Sequence, residues 1–209
     1  MNLLSVIESV LNLASRGGWV LIPIFCLGWY AWFLMFERYL VYRQLSKISL
    51  EHFWKIFNTQ GLEAAETYLQ KKKKTYFALL GNIVFQNANR GETFIESHLE
   101  ALQHKISLEL SKSMRSISVA AALAPLLGLL GTVSGMVHTF EIIEMFGFGN
   151  PVLLADGISE ALLTTQAGLL VAFPLMLAYN YLSSRIEHME QSIWSEVLKL
   201  QSVLLENQK

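Results

Sequence analysis

The chain has 209 residues, 53% hydrophobic and 16% charged, with a formal net charge of −1. So low a charge content, against roughly 25% in soluble proteins, points to the membrane, and the near-neutral balance excludes a nucleic-acid binder, whose phosphate contacts need a strongly basic domain. The single Cys26 excludes an intramolecular disulfide framework, and His52, His98, His104, His138 and His188 have no Cys or acidic neighbours at ligand spacing, so neither metal nor cofactor is expected.

At the N-terminus, Leu3, Leu4, Ile7, Val10, Leu11 and Ala14 recur on one helical face, which predicts a short amphipathic helix over 1–16 lying on the outer leaflet. An apolar run follows from Trp19 to Phe36. It exceeds a secretory h-region and has neither a basic n-region nor a cleavage site, so it is expected to stay as a first span over 17–42. Trp19, Trp29, Tyr30, Trp32, Tyr39 and Tyr42 concentrate toward its ends, as interfacial aromatics do. Cys26, inside the run, reads as a small buried hydrophobe.

Residues 43–115 read as a helical region. Glu51 to Phe57 and Leu62 to Leu69 predict two short helices separated by Gly61, and Lys71 to Lys74 form a basic run, either a solvated topological determinant or a contact for anionic lipid. From Thr93 the stripe Ile95, Leu99, Leu102, Ile106, Leu110, Ile117 steps by three, four or seven, which predicts one helix running straight into the second span.

No Lys or Arg occurs between Arg115 and Arg185, and that gap holds two long apolar runs, predicting spans over 116–140 and 151–182 joined by a turn over 141–150. At about 1.5 Å per residue either run exceeds the roughly 30 Å of a bilayer core. The C-terminal segment 183–209, with Ile186, Met189, Ile193, Val197, Leu200 and Leu204, prolongs the third span as a helix. Twelve basic residues lie from Arg38 to Arg115, one precedes the first span, none lies in the second connection and three follow the third span. The positive-inside rule then puts the N-terminus and the 141–150 turn outside, and the 43–115 region and C-terminus in the cytoplasm. The fold class expected is an all-α integral membrane protein with three transmembrane helices and long cytoplasmic helical extensions.

Chemistry has to lie on the second and third spans. Gly128, Gly131, Thr132, Gly135, His138 and Thr139 share one side of the second, with Leu126, Leu127, Leu129, Leu130, Val133, Met136, Val137 and Phe140 over most of the rest. Small residues at this spacing allow close helix packing. Thr132 and Thr139 either bond back to their own helix or face a lumen, where a hydroxyl offers donor and acceptor without charge. Gly157, Ala161, Thr164, Thr165, Gly168 and Ala172 make a matching side on the third span. Glu160 is the carboxylate well inside it, nine residues past Pro151, a depth of about 14 Å where a charge is costly. It either serves proton movement or locks a neighbouring helix. Asp156 lies one turn nearer the surface and reads as an entrance residue or helix-start acid. Thr165 is rotated roughly 140° from Glu160 and Thr164 only about 40°, so one flat face cannot hold both Glu160 and Thr165. Pro174 frees a carbonyl one turn earlier, so a kink or local flexibility is expected there. A relay of intramembrane acids, a nucleophile and base pair, and a phosphate loop are all missing from the pattern, which argues against an enzyme or a self-sufficient pump.

The stretch APLLGLLGTVSGMVHTF (124–140), followed by ADGISEALLTTQAGLLVAFPLMLAYN (155–180), resembles the hallmark region of the ExbB/TolQ proton-channel proteins, distant relatives of the MotA stator subunit, and GGW (17–19) and ERY (37–39) fit the same family. The resemblance covers essentially the whole chain. It implies a homopentamer in a Gram-negative inner membrane enclosing single-span helices of an ExbD or TolR-like partner, which supplies the titrating aspartate, and a TonB-like protein as the driven component. Thr132 and Thr165 match the family's polar ring, and Glu160 its intramembrane glutamate. The candidate proton-pathway residues are thus Thr132, Thr139, Thr164, Thr165 and Glu160, with Gly128, Gly131, Gly135, Gly168, Pro125 and Pro174 assigned to helix packing. The expected function is conversion of proton flow into work for TonB-dependent import. A TolQ-like role in the envelope and a non-conducting scaffold remain the alternatives.

Overall fold

The computed structural model describes residues 17–47, 49–87, 92–147 and 151–206, the side chains of 92–94 aside, and among these every regular element is helical. In chain order they are α1 (Leu21–Leu45), α2 (Leu50–Gln60), α3 (Leu62–Lys71), α4 (Tyr76–Asn87), α5 (Glu92–Phe146) and α6 (Pro151–Glu206). Three helical stretches, beginning at Leu21, Ile95 and Pro151, are long and apolar enough to cross a membrane. The amphipathic segment expected over 1–16 lies outside the described residues. The chain divides into two compact units, one of residues up to Met35 with Arg115–Asn180, the other of Phe36–Met114 with Tyr181 onward.

The first unit is built on glycine. α5 and α6 run antiparallel, and at each turn of their contact one side has no Cβ. A Cβ on Gly128 would stand 3.0 Å from the Thr164 carbonyl oxygen, one on Gly135 2.9 Å from the Ala161 nitrogen, and one on Gly168 2.6 Å from the Ala124 carbonyl oxygen. Backbone thus meets backbone, the close approach that small residues permit where lipid gives no hydrophobic drive to pack. α1 buries a single stripe, Leu21, Ile24, Gly28, Ala31 and Met35, recurring every three or four residues. Val20, Leu21 and Ile24 cluster with Ala167, and Gly28 lies beneath Val171. The rest of α1 is open. Trp29 is 83% exposed, and Phe33 and Phe36 also stand outward, as expected of a lipid-facing helix. Cys26 lies on that open side and is exposed, contrary to its expected burial, because it falls off the one stripe α1 buries.

The second unit has an ordinary apolar core. Ser49 caps α2, its hydroxyl accepting from the His52 N–H at 3.3 Å, and Gly61, at φ +84°, ends it and opens α3. Phe53, Ala65, Leu69, Tyr76, Phe77, Leu80 and Val84 are fully buried, with the Phe53 and Phe77 rings edge to face at 4.9 Å. Gly81 lets α4 approach Leu69 and Leu200. The Trp54 indole N–H donates to Glu196, and the Lys199 ammonium stands 4.5 Å over its ring. Ile95, Leu99, Ile106 and Leu110 of α5, and Ile186, Ile193, Val197, Leu200 and Leu204 of α6, are buried on the expected stripes.

α5 runs six residues beyond the predicted end of its span, through Glu141 and Glu144 to Phe146. Ile142 is buried and keeps the helical register, His138 Nδ1 and Glu141 Oε2 stand 3.9 Å apart one turn along the helix, and the run stops only before Gly147, at φ +66°. Pro125 and Pro174 both lie inside continuous helix.

Gly168→Ala is expected to destabilise the α5/α6 pair by about 1–3 kcal/mol, because the atom its Cβ meets belongs to a backbone that no rotamer change can move. Gly61→Ala, where no atom lies within 4 Å of the added Cβ, carries instead a purely backbone cost of about 1–3 kcal/mol, because φ +84° with ψ −174° is a region nearly exclusive to glycine. Thermal unfolding in detergent checks the first, and an unchanged melting point in Gly168→Ala would contradict the backbone-contact account.

Glu190, in the second unit, titrates above the ordinary carboxylate range, chiefly because it is partly buried; the Glu187 charge adds to this and a hydrogen bond with Ser107 offsets part. The phenol of Tyr76 is pushed upward by burial and then by the Glu190 charge. Glu190 holds its proton more tightly folded than unfolded, so its contribution to stability is full below the ordinary carboxylate range and is lost as pH rises through the raised value. Glu190→Gln should flatten that part of the stability-against-pH curve and leave the protein more stable at neutral pH. An unchanged curve in chemical denaturation would contradict the assignment.

Candidate functional site

Helical geometry divides α6 into three sides in the first unit. Glu160, Ala167 and Val171 fall within about 20° of one line, and it is this line that faces α1 and the turn before it. Gly157, Ala161, Thr164 and Gly168 form the α5 contact, roughly 40–100° further round. Thr165 lies past that contact, next to the exposed Leu162 and Leu169. Glu160 and Thr165 therefore occupy opposite rims of the α5/α6 interface, in keeping with the rotation read from the sequence.

The four threonines divide accordingly. Thr164 is fully buried beneath Gly131, where an added Cβ would come 2.4 Å from the Thr164 Cβ, and its hydroxyl donates to the Ala161 carbonyl at 2.8 Å. Thr139 is buried over Gly157 and donates to the Gly135 carbonyl at 2.9 Å. Both hydroxyls thus sit inside the helix pair of one chain. Thr165 donates across the interface to the Gly128 carbonyl at 3.1 Å. Thr132 donates to the Leu129 carbonyl of its own helix at 2.7 Å. Thr132 and Thr165 are only half-buried, and each has spent its proton but not its oxygen lone pairs. Thr132 lies one turn along α5 from Gly128, so the pair occupies neighbouring turns on one rim.

On the same side, Pro125 stands two turns before Thr132 and Leu169 one turn after Thr165. Both line an open cleft of about 930 Å³ with Ala121, Leu170, Pro174 and the side chain of Gln166. A proline leaves the carbonyl four residues before it without its helical donor, and Ala121 and Leu170 are those residues for Pro125 and Pro174. The expected packing prolines thus belong to the walls of this cleft as well.

Glu160 has a different setting. It is half-buried, and a Cβ on Gly18 would fall 1.7 Å from its Oε1, so the turn leading into α1 fits over the carboxylate only because position 18 has no side chain. Gly18 also has φ +65°, which favours glycine for a second reason. Sequence reasoning missed this contact. The GGW triplet was visible, but nothing in it signals a partner some 140 positions later. Asp156, one turn before Glu160, is exposed. Among the described residues no group of His, Cys, Asp and Glu could hold a metal ion.

A model of the MotA/TolQ/ExbB proton channel family matches residues 62–194, which is most of the chain, and the chain belongs to that family. It is a membrane protein with three candidate spans. Among its relatives, a putative biopolymer transport protein ExbB homolog of Methanothermobacter thermautotrophicus is 26% identical over 86% of this chain and 64% of its own length. The Tol-Pal system protein TolQ of Haemophilus influenzae is 30% identical over 56% of this chain and 53% of its own. The biopolymer transport protein ExbB of Aquifex aeolicus is 32% identical over 53% of this chain and 80% of its own. The chain thus spans less than two thirds of the length of the first two relatives.

Gly18→Ala should displace the Glu160 carboxylate as well as incur about 1–2 kcal/mol for a side chain at positive φ. The two parts separate in a double-mutant cycle with Glu160→Ala, since truncating the glutamate relieves the clash and leaves the φ cost. Strict additivity in melting temperature would mean that the two residues do not touch.

Proposed function

We propose that this chain is the multi-span subunit of a proton-driven motor, in which several copies, five by the resemblance, surround one or more single-span helices of an ExbD or TolR-like partner in the inner membrane. The observation that carries the reading is the position of Thr132 and Thr165, half-exposed on one rim of an α5/α6 pair whose facing turns bear no charge, with acceptor lone pairs unspent. A protonated carboxyl group on a partner helix needs an acceptor when neutral, and a donor or water when ionised. A threonine hydroxyl can turn to serve both states without imposing a fixed charge. On this reading Thr132 and Thr165 face the partner's titrating aspartate, while Thr139 and Thr164 hold the wall rigid behind them. Glu160, on the other rim, acts as a link between α6 and the turn into α1.

The basic segment Arg38 to Arg115 is placed in the cytoplasm and the connection between α5 and α6 in the periplasm, as the distribution of Lys and Arg suggests. Each proton that moves down the membrane potential releases about 2.3 kcal/mol per 100 mV, enough to bias a rotation or a gate. We assign the work to TonB-dependent import. Similarity to a TolQ protein keeps the Tol-type role as the second reading, and neighbouring genes would separate the two.

Thr132→Val and Thr165→Val preserve shape and remove the hydroxyl, so both should assemble and lose proton-dependent function. Thr165→Val additionally gives up an interhelical hydrogen bond of about 0.6 kcal/mol. Glu160→Gln keeps hydrogen bonding without charge and should retain flux if its role is linkage. The measurements are proton flux in liposomes holding both subunits and growth that depends on TonB-type uptake. Full activity in both threonine variants, with assembly confirmed, would leave the scaffold reading in place.

A further inference from the structure

Beyond the spans, in the second unit, the last turns of α1 carry Leu40, Arg43 and Gln44, with Lys47 two residues past its end, and across from them stand the end of α3, with Gln70 and Lys71, and the turn that joins α3 to α4, with Lys72 to Lys74. Together they line an open cleft of about 810 Å³. Six cations from two separate segments therefore converge on one space. Among the described residues none of the six has a carboxylate within ion-pair distance.

The lysine turn is held in its shape. Thr75 is buried at its base, and both its amide and its hydroxyl donate to the Lys72 carbonyl at 2.9 Å, while the Lys72 amide donates to the Leu69 carbonyl at 3.0 Å above a fully buried Leu69 side chain. A basic run that served only to fix topology would need no such fixed turn and no second basic wall, and holding six like charges around one space costs self-repulsion that an anion would relieve. The position selects the kind of anion. α1 is a candidate span, its apolar surface continues through the exposed Phe36 and Tyr39 to Leu40, and Leu40 is itself a wall of the cleft. An occupant there meets cations at one end and lipid-facing apolar surface at the other.

We propose that this cleft binds the headgroup of an anionic phospholipid, its phosphates held between Arg43 and Lys47 on one wall and Lys71 to Lys74 on the other, with an acyl chain along Leu40. Cations on both walls favour a headgroup with two phosphates over one with a single phosphate. The proposal depends on α1 crossing the bilayer and not on proton conduction.

The test is native mass spectrometry of the full chain in mild detergent, titrated with a cardiolipin-type diphosphate lipid, phosphatidylglycerol, phosphatidylethanolamine and, as headgroup alone, glycerol phosphate. Binding should fall in the order diphosphate, monophosphate, zwitterionic lipid. R43Q/K47Q should weaken the diphosphate lipid roughly thirtyfold and K71Q/K72Q/K73Q/K74Q by more, whereas K105Q/K112Q, which removes as much charge outside the cleft, should leave it unchanged. Equal binding of anionic and zwitterionic lipid by the wild-type chain would overturn the proposal without recourse to any variant. So would an equal loss in K105Q/K112Q. Glycerol phosphate binding as tightly as the intact lipids would assign the cleft to a soluble anion and overturn the lipid assignment.

Discussion

The backbone contact between α5 and α6 is the constraint from which the rest of the first unit follows. With Gly128, Gly135 and Gly168 against Thr164, Ala161 and Ala124, the helices come close enough for a threonine hydroxyl to reach a carbonyl of the neighbouring helix. Thr165 could not bond Gly128 across a leucine-filled interface, whose axes stand near the upper end of the 8–10 Å range. Close packing also fixes which residues are left over. Once the small stripe is used internally, the large side chains Leu126, Leu129, Leu130, Val133, Leu162, Leu169 and Phe173 can only point outward, and all are exposed.

A membrane protein gains little by burying leucine from lipid, so that outward surface is no defect, and association has to rest on fit and polar contacts. The first unit places its polar groups at the edges of its contacts, where a further helix would meet them. Thr132 and Thr165 lie on one rim of the α5/α6 pair and Glu160 on the other. The second unit is organised by other means: a core of Phe53, Tyr76 and Phe77, a capped α2, and an indole held between a carboxylate and an ammonium. α5 and α6 serve both kinds of packing because their sequences change along their length, from large apolar residues at three- and four-residue spacing to glycine, alanine and threonine at the same spacing.

That change is why the long helices could be read directly from the chain. Ile95 to Leu110 and Ile186 to Leu204 carry a period that only a helix satisfies, and the gap without Lys or Arg from Arg115 to Arg185 marks the apolar stretches by composition alone. α4 carries no such period, because Tyr76 to Asn87 is apolar nearly all round, with Gly81 at its centre, and its burial comes from neighbours distant in sequence. α5 continues past the expected end of its span because Glu141 to Phe146 keep the helical register, and Gly147, at φ +66°, suits the stop. For the site, the sequence identified the hydroxyl-bearing residues but could not sort them. Thr164 and Thr165 are adjacent in the chain and differ in setting because a step of about 100° carries one beneath Gly131 and the other to the rim.

The same geometry accounts for where Glu160 lies. A carboxylate on the α5-facing stripe would meet glycine and backbone at under 3 Å and could not fit, and one on the outer side would face lipid, where a charge is costly. The stripe toward α1 has room because its opposing segment is a glycine turn and not a helix wall. A motion that shifted α1 against α6 would therefore change the surroundings of Glu160 before it disturbed the glycine contacts, while a motion of α5 against α6 would strain the Thr165 bond first.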